Sequence, residues 1–78
     1  MTNIEKYRQA FMDSFEIGEN ALDNLTFQSI PQWDSVGHMS LIAALEDTFD
    51  IMFDTDDIVD LNSFQKGIET MKKYGIEI

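Results

Sequence analysis

Residues 34–50 read DSVGHMSLIAALEDTFD. Leu41, Leu45 and Phe49 recur every fourth residue, with His38 and Ile42 beside them, which places one apolar stripe along a helix. Asp34 stands where an N-cap belongs, and its charge suits the positive end of the helix dipole. The spacing therefore predicts a helix over 35–50. A second stripe, Val36, Met39 and Ala43, runs along another side of it. One stripe is enough to bury a helix in a small bundle, so the other is either covered by a neighbouring loop or left for a partner. Between the cap and that second stripe lies Ser35, at the helix start.

On the N-terminal side, residues 3–16 show Ile4, Tyr7, Phe11 and Phe15 on one helical face. Asn3 is the expected N-cap and Gly18 the expected stop. Residues 17–33 contain Gly18, Asn20, Asn24 and Pro31, which break regular structure. Leu22, Leu25, Phe27 and Ile30 are nonetheless apolar. This reads as a long connection lying across the bundle, with one short helical turn near Ala21–Asn24. On the C-terminal side, residues 51–61 hold at most a short acidic helix, capped by Asp54 or Thr55, with Ile58 and Leu61 inward. Residues 63–74 form a last helix through Phe64, Ile68, Met71 and Tyr74. Asn62 with Gln65 resembles a capping box. Lys72 and Lys73 suit the final turn, and Gly75 ends it. No segment alternates as a strand does. The expected fold is all-α, a small four-helix bundle of three main helices and one short one, in a single domain spanning 1–78 with a long loop between helices one and two.

A chain of 78 residues buries only about 60% of its unfolded surface, leaving little room for a deep catalytic cavity. It has no cysteine, which excludes disulfides and thiolate chemistry by the polypeptide itself. The N-terminal stretch lacks the pattern of a secretory signal, and no apolar run reaches the ~20 residues that span a bilayer. A cytoplasmic monomer is expected. The formal net charge is −10, and residues 9–65 hold twelve Asp and Glu with no Lys or Arg. Such a field disfavours nucleic acid and anionic lipid and favours a basic protein surface.

Ser35 with His38, three residues on, has the residue types of a nucleophile and base. A helix start in so small a domain offers nothing to exclude water, so the reading is not an enzyme. DTDDIVD fails the calcium-loop pattern: counted from Asp54, the sixth position is Val59 and the twelfth is Gln65. No metal is expected, and no Gly-rich phosphate loop is present. For Ser35 two readings stand: a helix-initiating serine, or an anchor for something carried.

WDSVGHMSLIAALEDTFDI resembles the signature of acyl carrier proteins. Asp34-Ser35-Val36, Leu45-Glu46-Asp47 and Phe49-Asp50 match that family in order and spacing. DDIVDLNSFQKGIE is similar to its acidic segment and the start of its last helix. The resemblance implies a carrier, not a catalyst. A phosphopantetheinyl transferase would move 4′-phosphopantetheine from coenzyme A onto Ser35, beside Asp34. The arm's thiol would then hold acyl or aminoacyl intermediates as thioesters. Partners would be an acyl- or aminoacyl-loading ligase and a downstream transferase or synthase with basic docking surfaces. They would meet Val36, Met39 and Ala43, rimmed by Asp34, Glu46, Asp47, Asp54, Asp56 and Asp57. Gly37, His38, Ser40 and Trp33 depart from the fatty-acid type, and the stretch looks more like stand-alone carriers of specialised pathways, D-alanyl carriers included. The alternative is an unmodified acidic helical adaptor that binds a basic protein through the same patch.

Overall fold

The computed structural model describes all 78 residues. Four α-helices form the bundle: α1 (Asn3–Phe15), α2 (Ser35–Phe49), α3 (Thr55–Asp60) and α4 (Phe64–Lys73). There is no strand; the only ladder contact is an isolated bridge between Thr26 and Ser63. No helix is long and apolar enough to cross a membrane.

The predicted apolar stripes become the core. Tyr7, Phe11 and Phe15 from α1 meet Leu41, Ile42 and Leu45 from α2 and Phe64 and Met71 from α4, all buried. Aromatic rings dominate the centre: Phe11 packs edge-on to Phe64 at 5.1 Å and to Trp33 at 5.6 Å. Such pairs add ~0.5–1.5 kcal/mol each beyond the area they bury.

The Tyr7 ring of α1 reaches the backbone of α4 because residue 67 has no side chain. A Cβ built on Gly67 would collide with the Tyr7 hydroxyl. In the space left, that hydroxyl donates to the Phe64 carbonyl at 2.7 Å. Burial pushes the Tyr7 phenol well above its usual titration range, so it stays a donor at any ordinary pH.

Three caps differ from the sequence reading. α1 is capped by Thr2, not Asn3; the Thr2 side chain accepts from the Glu5 N–H and the Glu5 carboxylate accepts from the Thr2 N–H, a reciprocal capping box. α1 stops at Glu16 in the left-handed region (φ 55°), two residues before Gly18. α4 is capped by Ser63, whose Oγ accepts from the Lys66 N–H at 2.9 Å, while Gln65 reaches instead to the Asp23 carbonyl at 3.1 Å. The reason is tertiary. Residues 25–27 lie beside residues 62–64, with the Phe27 N–H donating to the Asn62 carbonyl and the Phe64 N–H donating to the Leu25 carbonyl. This pairing holds Ser63 extended (φ −157°, ψ 161°), in place to cap α4. Gly75 adopts φ 82° and ends the α4 region as expected.

The 17–33 connection is packed down, not loose. Its one helical turn is a 3-10 turn at Glu19–Ala21, slightly ahead of the predicted place. Arg8 holds the segment from α1 by reaching Glu19 at 3.1 Å and Asp23 at 3.4 Å. Leu22, Leu25 and Trp33 enter the core. Their burial fixes where the connection ends, and so where α2 begins.

Candidate functional site at the start of helix two

α2 begins as predicted. The Asp34 Oδ1 accepts from the Gly37 N–H at 2.8 Å, and the Asp34 carbonyl accepts from the His38 N–H at 2.8 Å. Capping is thus completed by Asp34. Ser35, the first helical residue, is exposed, and its hydroxyl takes part in none of the side-chain hydrogen bonds that organise this turn. A serine that caps spends its oxygen on a backbone N–H; Ser35 does not.

The first turn sits tightly against the end of the long connection. A Cβ on Gly37 would run into the Gln32 carbonyl oxygen. Here the close approach, not an unusual backbone angle, calls for glycine.

His38 does not serve Ser35. Its Nδ1 accepts from the Trp33 indole N–H at 3.0 Å, and its Nε2 faces the Ile58 carbonyl at 2.7 Å. Those partners require the Nε2–H tautomer, with Nε2 donating. Both ring nitrogens are committed to linking the connection, α2 and α3. Neither is free to take a proton from the serine. Trp33 lies nearly coplanar with the imidazole, edge to edge through that hydrogen bond (17°, 6.2 Å), and stacks on Phe15 (29°, 5.2 Å).

The second α2 stripe is unpartnered. Val36 is 77% exposed and Met39 53%, and Val59 on α3 adds 71%; Ala43 is exposed as well. Of the predicted acidic rim, Asp34, Asp47, Asp54 and Asp56 face solvent. Glu46 is half-buried, and its carboxylate accepts from the Phe53 N–H at 2.9 Å, bracing the α2–α3 turn.

Asp57 is a correction to the predicted rim. It is buried, not displayed. Its carboxylate accepts from Lys73 Nζ at 2.8 Å and from the Tyr74 hydroxyl at 2.6 Å. The same hydroxyl accepts from the Asp54 N–H at 2.7 Å. α3 has no side-chain cap of its own; Tyr74, the residue that ends α4, satisfies the N–H of its cap residue Asp54. The hydrogen bonds from Lys73 and then Tyr74 hold the Asp57 carboxyl below its usual range; bonding to Asp57 pushes Lys73 and Tyr74 upward.

The direction of these shifts fixes a pH window. The stabilisation from a depressed carboxylate is fully present above the unfolded value of about 3.9 and is lost as pH falls through the lower folded value. Asp57→Asn is expected to lower the thermal midpoint by several degrees near neutrality. The difference from wild type should close only below about pH 4. Midpoints measured across the acid range check this, and a gap that stays constant down to full protonation contradicts it. The raised Lys73 and Tyr74 values act at the opposite end, losing their contribution only as pH rises above about 10.

No protein-family model, curated protein or solved structure matches this chain. Fold and site define a class by themselves: a small all-α bundle whose second helix presents an exposed serine, capped by its neighbour, at the edge of an apolar strip flanked by acids.

Proposed function

We propose that the chain is a carrier protein that holds acyl or aminoacyl intermediates as thioesters on a 4′-phosphopantetheine arm attached to Ser35. The observation that carries this reading is the division of labour at the start of α2. Asp34 caps, leaving the Ser35 hydroxyl exposed and uncommitted. A helix N-terminus tolerates the added phosphodiester, and an enzyme can reach the oxygen without unfolding anything.

Attachment forms a bond from Ser35 Oγ to the phosphorus that bears the pantetheine arm of coenzyme A. The pyrophosphate bond breaks, adenosine 3′,5′-bisphosphate leaves, and the serine proton passes to the transferase. The arm supplies a terminal thiol, the sulfur that the chain itself lacks. The protein's own part is to anchor and present. Tethering raises the local concentration of cargo at whichever enzyme is docked. Val36, Met39 and Ala43 give a small apolar contact, and methionine adapts to more than one partner. Asp34, Asp47, Asp54 and Asp56 steer encounter.

Intact mass after incubation with coenzyme A and a broad-specificity phosphopantetheinyl transferase tests the reading. Wild type should gain one arm and Ser35→Ala none. A folded wild-type chain that gains nothing returns the strip to the rival reading, an unmodified adaptor for a basic protein. Asp47→Lys should slow arm transfer several-fold at low ionic strength, with the gap shrinking as salt rises, because exposed charges lose most influence beyond the Debye length. Glu46 is the poorer choice for charge reversal, since its carboxylate also braces residue 53. A transfer rate indifferent to both charge and salt removes the steering argument.

A further inference from the structure

His38 is the chain's one histidine, and it ties the connection and α3 to α2. Its Nδ1 accepts from the Trp33 indole N–H, and its Nε2–H donates to the Ile58 carbonyl. The two partners are not equally free to move. Trp33 is fully buried and held by the rings of Phe11, Phe15 and Phe27. α3 is six residues long and has no side-chain cap of its own.

A proton on Nδ1 would set N–H against N–H across this 3.0 Å contact. No neighbour compensates the charged ring. From the connection, uncharged Trp33 and Phe27 face it. From α2, Asp34 lies one turn earlier but spends its Oδ1 on the Gly37 N–H. From α3, Asp57 precedes Ile58 but turns to Lys73 and Tyr74, while Asp54, Asp56 and Asp60 face solvent. No charged residue lines the open space beside the ring, and His38 joins none of the fold's ion pairs. The indole cannot yield, so the imidazole must, and a ring that swings out leaves the Ile58 carbonyl too. Outside, the acidic surface favours the imidazolium.

We propose that His38 is an acid-sensitive latch between α2 and α3: neutral, it holds α3 closed; protonated, it releases α3 and uncovers the Trp33 indole. The closed state keeps the ring neutral, whereas a released ring titrates as an ordinary imidazole, near about 6.5. Opening therefore takes up a proton and is favoured as pH falls. The hydrogen bonds from Lys73 and then Tyr74 hold the Asp57 carboxyl below its usual range, so it stays ionised while the imidazole titrates and keeps the far side of α3 tied to α4. Opening is thus a pivot. It carries Val59 away from Val36 and Met39 and divides the exposed apolar strip. The latch works whether or not Ser35 carries an arm.

Hydrogen exchange followed by NMR between about pH 7.5 and about pH 5, in wild type and in His38→Gln, tests this. Glutamine offers an acceptor and a donor without a titrating ring. Dividing wild-type rates by variant rates at each pH cancels the intrinsic exchange chemistry and the titration of the carboxylates. The ratio at the Trp33 indole N–H and at the Ile58 amide should rise below about pH 6.5, approaching tenfold for each further unit. The ratio at the amide of Leu45, on the buried face of α2, should stay flat. Trp33→Phe, which removes the opposing N–H, should abolish the acid response at Ile58.

A flat ratio at the indole and at Ile58 overturns the latch. So does an equal rise at Leu45, which would be unfolding of the whole bundle. A Trp33→Phe profile as steep as wild type overturns it as well. Should His38→Gln fail to fold, wild type against Trp33→Phe, read at Ile58 and Leu45, still decides.

Discussion

Trp33→Ala is expected to cost about 3–5 kcal/mol of folding free energy, the range for emptying a large aromatic site in a core. The site cannot collapse cheaply. Trp33 touches rings from α1 (Phe11, Phe15), from the connection (Phe27) and from α2 (His38), and its indole N–H satisfies His38. Truncation leaves a void and an imidazole nitrogen without its donor. A domain of this length has only about 4–12 kcal/mol in total. The loss should therefore lower the thermal midpoint by on the order of 20 °C, or prevent folding at physiological temperature. Denaturant midpoints with the slope unchanged provide the measurement. A cost below about 1 kcal/mol would mean that the ring is not the keystone between the connection and α2.

The second large effect is expected at Gly37. In an ordinary helix interior, Gly→Ala stabilises by roughly 1 kcal/mol. Here the sign should reverse. The new Cβ meets the Gln32 carbonyl, which is backbone and belongs to the turn that sets Trp33. Relief requires either the first turn of α2 or residues 30–33 to move, at about 1–3 kcal/mol. Because Asp34 bonds the Gly37 N–H, the displacement also loosens the cap beside Ser35. Gly37→Ala should lower the denaturation midpoint and slow arm transfer together. A variant more stable than wild type would show that the approach is not as close as described.

Much of α2 was legible because its determinants are local: one cap residue, one stripe at helical spacing, and a serine beside the cap. The unpartnered face was legible for the same reason, since Val36, Met39 and Ala43 could not share a side with Leu41 and Leu45. What escaped was set by contacts distant in sequence. Trp33 is an unusual residue to precede Asp34, but nothing local says that its ring enters the core. Gly37 and Gly67 look like helix-weakening residues until Gln32 and Tyr7 are placed against them. Asp57 sits among four aspartates in a seven-residue run. Which of them turns inward depends on Lys73 and Tyr74, sixteen and seventeen residues away. The cap of α1 has a local signal: Thr2 stands three residues before Glu5, the capping-box spacing, whereas Asn3 is followed at that spacing by Lys6.

At the site, the sequence left the capping and anchoring readings of Ser35 both open. The geometry bears on that choice through Asp34, which occupies the N–H that a capping serine would claim. It also removes the serine–histidine pairing as a source of nucleophilic chemistry, since both His38 nitrogens have partners in the fold.

The most direct measurement is the mass of the peptide containing Ser35, taken from the protein purified out of its own cells. The account predicts a phosphopantetheine arm on the Ser35 oxygen, with any cargo still attached as a thioester. A free hydroxyl at that position in the functioning protein, or an arm on a different residue, would contradict it.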